Sequence, residues 1–187
     1  MACLLANLYA QRIPSSVTRY KACLASDPTV PVGLAIWQAV KDRTSTAGEP
    51  TAEEQQEEAL VEAWNKERRT ELDAEFERAV DRVFYKNMKE AYHSVKKDVL
   101  QGRRCYYLEH LYVHRDHQRK GIGKALLEIG MRKADEEGVE CYLEASLTGQ
   151  PLYERNGFEI KEWVEIKEGD DYVTRLPAMM RAPSKMS

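Results

Sequence analysis

Residues 105–146 constrain the fold more than any other part of the chain. CYYLEHLYV (105–113) is rich in aromatic and branched residues and reads as a strand. It runs into a basic, glycine-containing loop, HRDHQRKG, and the loop runs into a helix from about Ile122 to Glu137. That helix places Ile122, Ala125, Leu126, Ile129 and Gly130 on one face and Lys124, Glu128, Arg132 and Asp135 on the other. Gly138 stops it, and ECYLEAS (140–146) is the next strand. A strand, a helix and a strand with a crossover of this length imply parallel neighbours joined in the right-handed sense. The fold class is therefore mixed α/β.

The flanking segments fill out the sheet. VTRYKACLA and VGLAIWQAV, within residues 17–40, read as a hairpin with a turn at Ser26-Asp27-Pro28. FEIKEWVEI and DYVTRLPAMM read as two further strands joined at Glu168-Gly169-Asp170, and PLYERNG (151–157) as a short helical turn. Residues 51–100 contain neither Gly nor Pro and have helix-forming composition. An apolar stripe through Leu60, Trp64, Leu72, Phe76, Val80, Val83, Phe84, Met88, Tyr92, Val95 and Val99 is expected to pack on the sheet, with a coiled-coil or homodimer contact as its other use. The whole chain, 1–187, is expected to form one domain.

Composition excludes several classes. With 43% hydrophobic residues and a net charge of −3, the chain should fold, and bulk nucleic-acid binding is not expected. Four cysteines, Cys3, Cys23, Cys105 and Cys141, make no C-x-x-C pair and are too sparse for a disulfide framework, which points to a reducing, cytoplasmic compartment, with the nucleus also compatible. No stretch reaches the roughly 18 apolar residues of a membrane span, so no membrane partner is expected. The opening MACLLANLYA is apolar but short, lacks a basic residue before it and is followed by Gln11 and Arg12; it does not read as a secretory signal.

The chemistry concentrates in VHRDHQRKGIG (113–123). Unpaired N–H groups at a helix start, the helix dipole and two glycines that admit a close approach together make an anion site. From His114 to Lys133 there are six Lys and Arg against two Asp and Glu, so the segment is locally basic and a pyrophosphate suits it. The ATP-binding P-loop would need Ser or Thr where Ala125 stands, and a dinucleotide fingerprint would need glycine at Leu126. His114-Arg115-Asp116 begins like a kinase catalytic loop but lacks its Asn. His110, His114 and His117 share no fixed face, so no metal is expected.

Gln118 to Gly123, QRKGIG, resembles the R/Q-x-x-G-x-G/A signature of the GCN5-related N-acetyltransferase (GNAT) superfamily. The preceding strand, KALLEIGMRKADEEG, CYLEAS and LYERNGF fall where that superfamily has its fourth strand, third helix, fifth strand and L-Y-x-x-x-G-F motif, and ADEEGVECYLEASLTGQPLYERNGF is similar to fungal members. The resemblance is strong over Tyr106 to Phe158 and extends to the 17–40 hairpin. It implies a mixed sheet splayed between the fourth and fifth strands. Against the family pattern, the chain has a long helical insertion at about 44–102 and a shortened N-terminus, whose MACLLANLYAQRIP supplies at most one short helix.

The resemblance also implies a cofactor and roles. The cofactor is acetyl-CoA, its pyrophosphate held by the backbone of Gln118, Arg119, Lys120, Gly121, Ile122, Gly123 and Lys124 and its arm lying along Leu111, Tyr112 and Val113, with the Leu111 N–H facing the thioester carbonyl. Ser146 is a further polar contact or simply a strand-end hydroxyl. Glu109 is the candidate base, expected to share an apolar face with Tyr107, Leu111 and Val113 that raises its pKa; a structural ion pair is the alternative. His110 is expected on the opposite face as a core histidine. Tyr153 is the candidate acid for the leaving thiolate, at modest cost because thiols titrate near ~8.5 and tyrosine near ~10, with packing against the cofactor as its alternative. Trp64, Phe76, Phe84 and Tyr92 are candidate pocket residues. The activity implied is acetyl transfer to a small-molecule amine; acetylation of protein lysines or N-termini and a non-catalytic CoA-binding scaffold remain as alternatives.

Overall fold

A computed structural model describes residues 2–6, 16–41, 52, 55–56, 59–60, 82–168 and 172–184. Seven strands form one sheet in the order β1-β2-β3-β4-β5-β7-β6. They are β1 (Ala2–Ala6), β2 (Val17–Leu24), β3 (Asp27–Val40), β4 (Cys105–Val113), β5 (Glu140–Glu144), β6 (Glu159–Glu168) and β7 (Tyr172–Arg181). The helices described end to end are α1 (Arg82–Leu100), α2 (Ile122–Glu137) and the short α3 (Gln150–Glu154). Only β4 and β5 pair in parallel, through the α2 crossover; every other neighbouring pair is antiparallel.

The hairpin, β4 and α2 lie where the sequence places them, except that the hairpin turns at Ala25-Ser26 and Asp27 and Pro28 already belong to β3. The N-terminus does not: residues 2–6 form a strand, paired antiparallel with β2 from Ala2↔Leu24 to Ala6↔Tyr20, and not a short helix. An apolar run this short carries no helical period, and the open edge of the β2–β3 hairpin offers it a complete hydrogen-bond ladder. The first strand of the family pattern is therefore present.

Each face of the sheet carries its own helix. On one side α2 buries Leu126, Leu127, Met131 and Ala134 against Trp37, Leu108, Leu143 and Met179. Leu126 and Leu127 are fully buried, each contributing about 1.5–3 kcal/mol. This face is wider than the sequence stripe, because α2 rests across several strands: Leu127, Met131 and Ala134 join it, while Ala125 and Ile129 are half-buried. Asp135, expected in solvent, instead forms a bidentate pair with Arg181 of β7 at 2.8 and 3.0 Å.

On the other side α1 lays Phe84, Met88, Tyr92, Val95 and Val99 against a cluster of Leu100, Cys105, Tyr142, Val164, Ile166, Ala178 and Met180. Here the apolar stripe is core, as read. Leu60 is 47% exposed; Trp64, Leu72, Phe76 and Val80, like Gly169 and Asp170 of the expected β6–β7 turn, lie outside the described residues.

Two irregularities of β4 position the site. Its pairing with β5 covers only Cys105↔Glu140, Tyr106↔Cys141 and Tyr107↔Tyr142, after which the strands separate into a wedge. Its register with β3 also slips: Trp37 faces Leu108 but Ile36 faces His110, leaving Glu109 as the extra residue of a β-bulge.

Candidate active site

The loop after β4 is tied down by its own polar groups. The His114 ring accepts the Asp116 N–H and caps a 3-10 turn over Arg115–His117; Gln118 Nε2 donates to the Val113 carbonyl at 3.0 Å, and Lys120 Nζ to the Asp116 carbonyl at 2.9 Å. The chain then turns through two left-handed residues, Arg119 (φ 59°) and Gly121 (φ 82°), into α2. The first intrahelical bond is Ala125 N–H to the Gly121 carbonyl, so the N–H groups of Ile122, Gly123 and Lys124 have no helical acceptor. Those of Arg119, Lys120 and Gly121 find none among the described residues. The Gln118 N–H differs from expectation: it bonds the Arg115 carbonyl at 3.3 Å, so the cradle of unpaired amides begins at Arg119. Among the described residues, no atom beyond its own chain neighbours lies within 4 Å of where a Gly121 Cβ would be, so the mouth is open.

Leu152 of α3 lies beside Gly123, which brings Tyr153 to the same end of the wedge. Tyr153 is buried, stacked edge-on against Phe158 with ring centroids 5.9 Å apart. Burial pushes its phenol up to about 12, so the step down to a thiol is larger than the sequence implied. The hydroxyl stays protonated throughout the neutral range and acts as a fixed donor. Ser146, exposed, accepts the Gly149 N–H at 3.1 Å and so organises the turn into α3.

The bulge rearranges the other side. Leu111 and Val113 pack with the α2 core, whereas Tyr107 packs with the α1 cluster, so they do not share a face with Glu109. Glu109 is exposed, not set among apolar groups. His110 is exposed as well, and lines the same cavity as Glu109 instead of entering the core. Strict alternation would have separated them; one extra residue puts both toward α1.

That cavity, of about 980 Å³, lies between α1 and the start of the wedge. Tyr85, Met88 and Tyr92 wall it from α1, Tyr107, Glu109 and His110 from β4, and Glu144 from β5. Of the candidate pocket aromatics, Tyr92 is there, Phe84 packs in the core cluster, and Trp64 and Phe76 lie outside the described residues. Glu144, which sequence reasoning missed, is the half-buried acid of the site. Burial raises its pKa, opposed by hydrogen bonds from the Tyr142 hydroxyl (2.8 Å) and the Tyr107 phenol and by the charge of Lys96. Lys96 lies over the Tyr107 ring, 3.4 Å from its centroid, and burial lowers its pKa.

A family model described as an acetyltransferase (GNAT) domain matches residues 83–160, which span α1, the bulged strand, the amide cradle and the Tyr153 turn. That stretch is therefore similar to a GNAT acetyltransferase domain. An N-acetyltransferase of Schizosaccharomyces pombe is 34% identical over 95 residues, 49% of this chain and 38% of that protein, so the chain spans well under half of that relative's length. Among solved structures, Arabidopsis thaliana NAA60 in complex with a bisubstrate analogue superposes with a TM-score of 0.53 at 12% identity, covering 92% of this chain and 78% of that one. The ribosomal-protein-S18-alanine N-acetyltransferase of Escherichia coli superposes at 0.52 with 13% identity, covering 100% and 97%. These two share the GNAT fold with this chain.

Acetyl-CoA is the cofactor that the match to a GNAT domain implies, and the residues present fit it: a run of unpaired amides at a helix start, an open mouth over Gly121 and a basic loop suit a diphosphate. No helix among the described residues is long and apolar enough to cross a membrane.

Proposed function

We propose that this chain transfers the acetyl group of acetyl-CoA to an amine of a small molecule, by direct attack within a ternary complex. One observation carries the reading: an open amide cradle stands at one end of a β4–β5 wedge whose start opens into a carboxylate-lined cavity. Bound acetyl-CoA supplies an acetyl group activated as a thioester. Arg119 to Lys124 hold the diphosphate, and the β5-facing edge of Leu111, Tyr112 and Val113 offers main-chain partners to the cofactor's arm, with the Leu111 N–H placed for the carbonyl oxygen. Tyr153 donates a hydrogen bond, then a proton, to the departing sulfur. A carboxylate of the cavity relieves the acceptor ammonium of its proton, Glu109 being the sequence's nominee. The aromatic and thioether side chains that α1 lays along the cavity, Tyr85, Met88 and Tyr92, suit a small acceptor with an apolar body.

Calorimetry with acetyl-CoA, followed by thiol release across a panel of amines and lysine peptides, tests this. Micromolar binding abolished by Gly121→Glu, with turnover of at least one small amine, is the expected result. No affinity for acetyl-CoA overturns it; binding without turnover of any acceptor replaces it with a scaffold role, and turnover of peptides alone with protein acetylation.

A further inference from the structure

We propose that the cavity between α1 and strands β4 and β5 takes a primary ammonium carrying an aromatic body, and that Glu144 is the carboxylate that holds its charge and receives its proton. This rests on the acetyl-transfer reading and names its acceptor class.

Glu144 is two residues beyond Tyr142, the last residue of β5 bridged to β4. Its carboxylate therefore stands where the sheet opens and lines the cavity. Glu109 lines the same cavity from β4 but is exposed, so water screens its charge, while Glu144 is half-buried. A cation entering the cavity meets its least-screened negative charge at Glu144.

The surroundings leave that charge available to a ligand. From α1, Tyr92 and Lys96 face Glu144; from β4, Tyr107 and the Cys105 thiol; from β5, Tyr142. Its partner on β7 is the uncharged Ala178. Lys96 is the single cation among these; it lies over the Tyr107 ring and its charge also acts on Glu144, so an entering ammonium shares the carboxylate with it. Farther out, Lys89, Glu90, His93 and Lys97 rim the cavity from α1, with His110 and Glu109 opposite. The two tyrosine hydroxyls keep the Glu144 side chain in place, so no ordering is needed when the ligand arrives. Burial, which lifts the carboxyl toward the range where it can accept and release a proton, favours the same role.

The walls set the rest of the ligand. Tyr85, Met88 and Tyr92 from α1 and Tyr107 from β4 offer aromatic faces and a thioether, surfaces that pack against an aryl ring. The volume, about 980 Å³, is ample for an amine of about ten heavy atoms. In the proton step one ammonium N–H bond breaks, an O–H bond forms on Glu144, and the nitrogen keeps the electron pair; the proton then leaves to water through the cavity mouth.

The test uses the full chain with 2-phenylethylamine as probe and 2-phenylethanol as its uncharged counterpart. Acetyl-CoA affinity is measured first and alone, so a failure of the acetyl-transfer reading shows there independently. With CoA bound, the amine is expected to bind and the alcohol not. Glu144→Gln is expected to weaken amine binding by at least about 10-fold, to lower kcat/KM by about 100-fold and to remove the acidic limb of its pH profile, with acetyl-CoA affinity unchanged. Ser94→Trp, on the exposed side of α1 where it lines the cavity, is expected to block the amine and spare acetyl-CoA. Equal binding of amine and alcohol, no amine binding, a Glu144→Gln protein within threefold of wild type, or a Ser94→Trp protein that still binds the amine would each overturn the proposal.

Discussion

The Cβ that Gly130 lacks would lie 2.1 Å from the indole Cε2 of Trp37, so α2 rests on β3 at this distance only because position 130 has no side chain. Both contact atoms are rigid: one belongs to a helix backbone, the other to a ring that is 2% exposed. Gly130→Ala is therefore expected to destabilise the fold by about 2–3 kcal/mol despite the better helix propensity of alanine. Urea unfolding followed by tryptophan fluorescence reads this directly, and a change below about 0.5 kcal/mol would contradict the close approach.

Asp135 and Arg181 join α2 to β7 with side chains 17% and 10% exposed. The Arg181 guanidinium holds the Asp135 carboxyl below its ordinary range. A depressed folded pKa adds stability that is complete above the unfolded value and is lost as pH falls through the folded one, so this contribution begins to fade below about pH 4. Asp135→Asn, which strands a buried guanidinium, is expected to cost about 3 kcal/mol at pH 7 and progressively less toward pH 2. Chemical unfolding at the two pH values measures the difference.

How much of this was legible in the sequence depended on whether one residue's surroundings were local. The bounds of β4 and α2 could be read because the composition changes sharply at His114 and Ile122, and the amide cradle followed from that junction. The Glu109 bulge could not: its cause is a register slip against Ile36 and Trp37, some seventy residues earlier, and alternation along β4 alone assigns Leu111 and His110 to the wrong faces. Glu144 was invisible for a related reason. An acid at a strand end reads as solvated, and only the packing of α1 across β5 removes it from water.

Cys105 and Cys141 are buried thiols pushed up to about 12 by desolvation. Folded values raised above unfolded ones mean that stability is full below about pH 8.5 and declines as pH rises toward 12, by up to about 1.4 kcal/mol per pH unit for each group. Cys141→Ala is expected to flatten that decline relative to wild type in alkaline unfolding monitored by circular dichroism. Equal slopes in the two proteins would show that the thiols remain ionisable in the folded state.

Tyr153 carries the sharpest kinetic expectation. With burial holding its phenol near about 12, it remains the acid form at every pH an enzyme of this kind meets. The rate should therefore show no alkaline limb below pH 10 assignable to this residue, unlike a tyrosine at its ordinary value of about 10. Tyr153→Phe is expected to lower kcat by about 100-fold while leaving the affinity for acetyl-CoA within twofold, because the ring still packs against Phe158 and only the donor is lost. If kcat is unchanged, the departing sulfur takes its proton from elsewhere. If kcat and acetyl-CoA affinity fall together, the hydroxyl serves binding in the ground state and not the departing thiolate, and the proton donor must then be sought along the open wedge between β4 and β5.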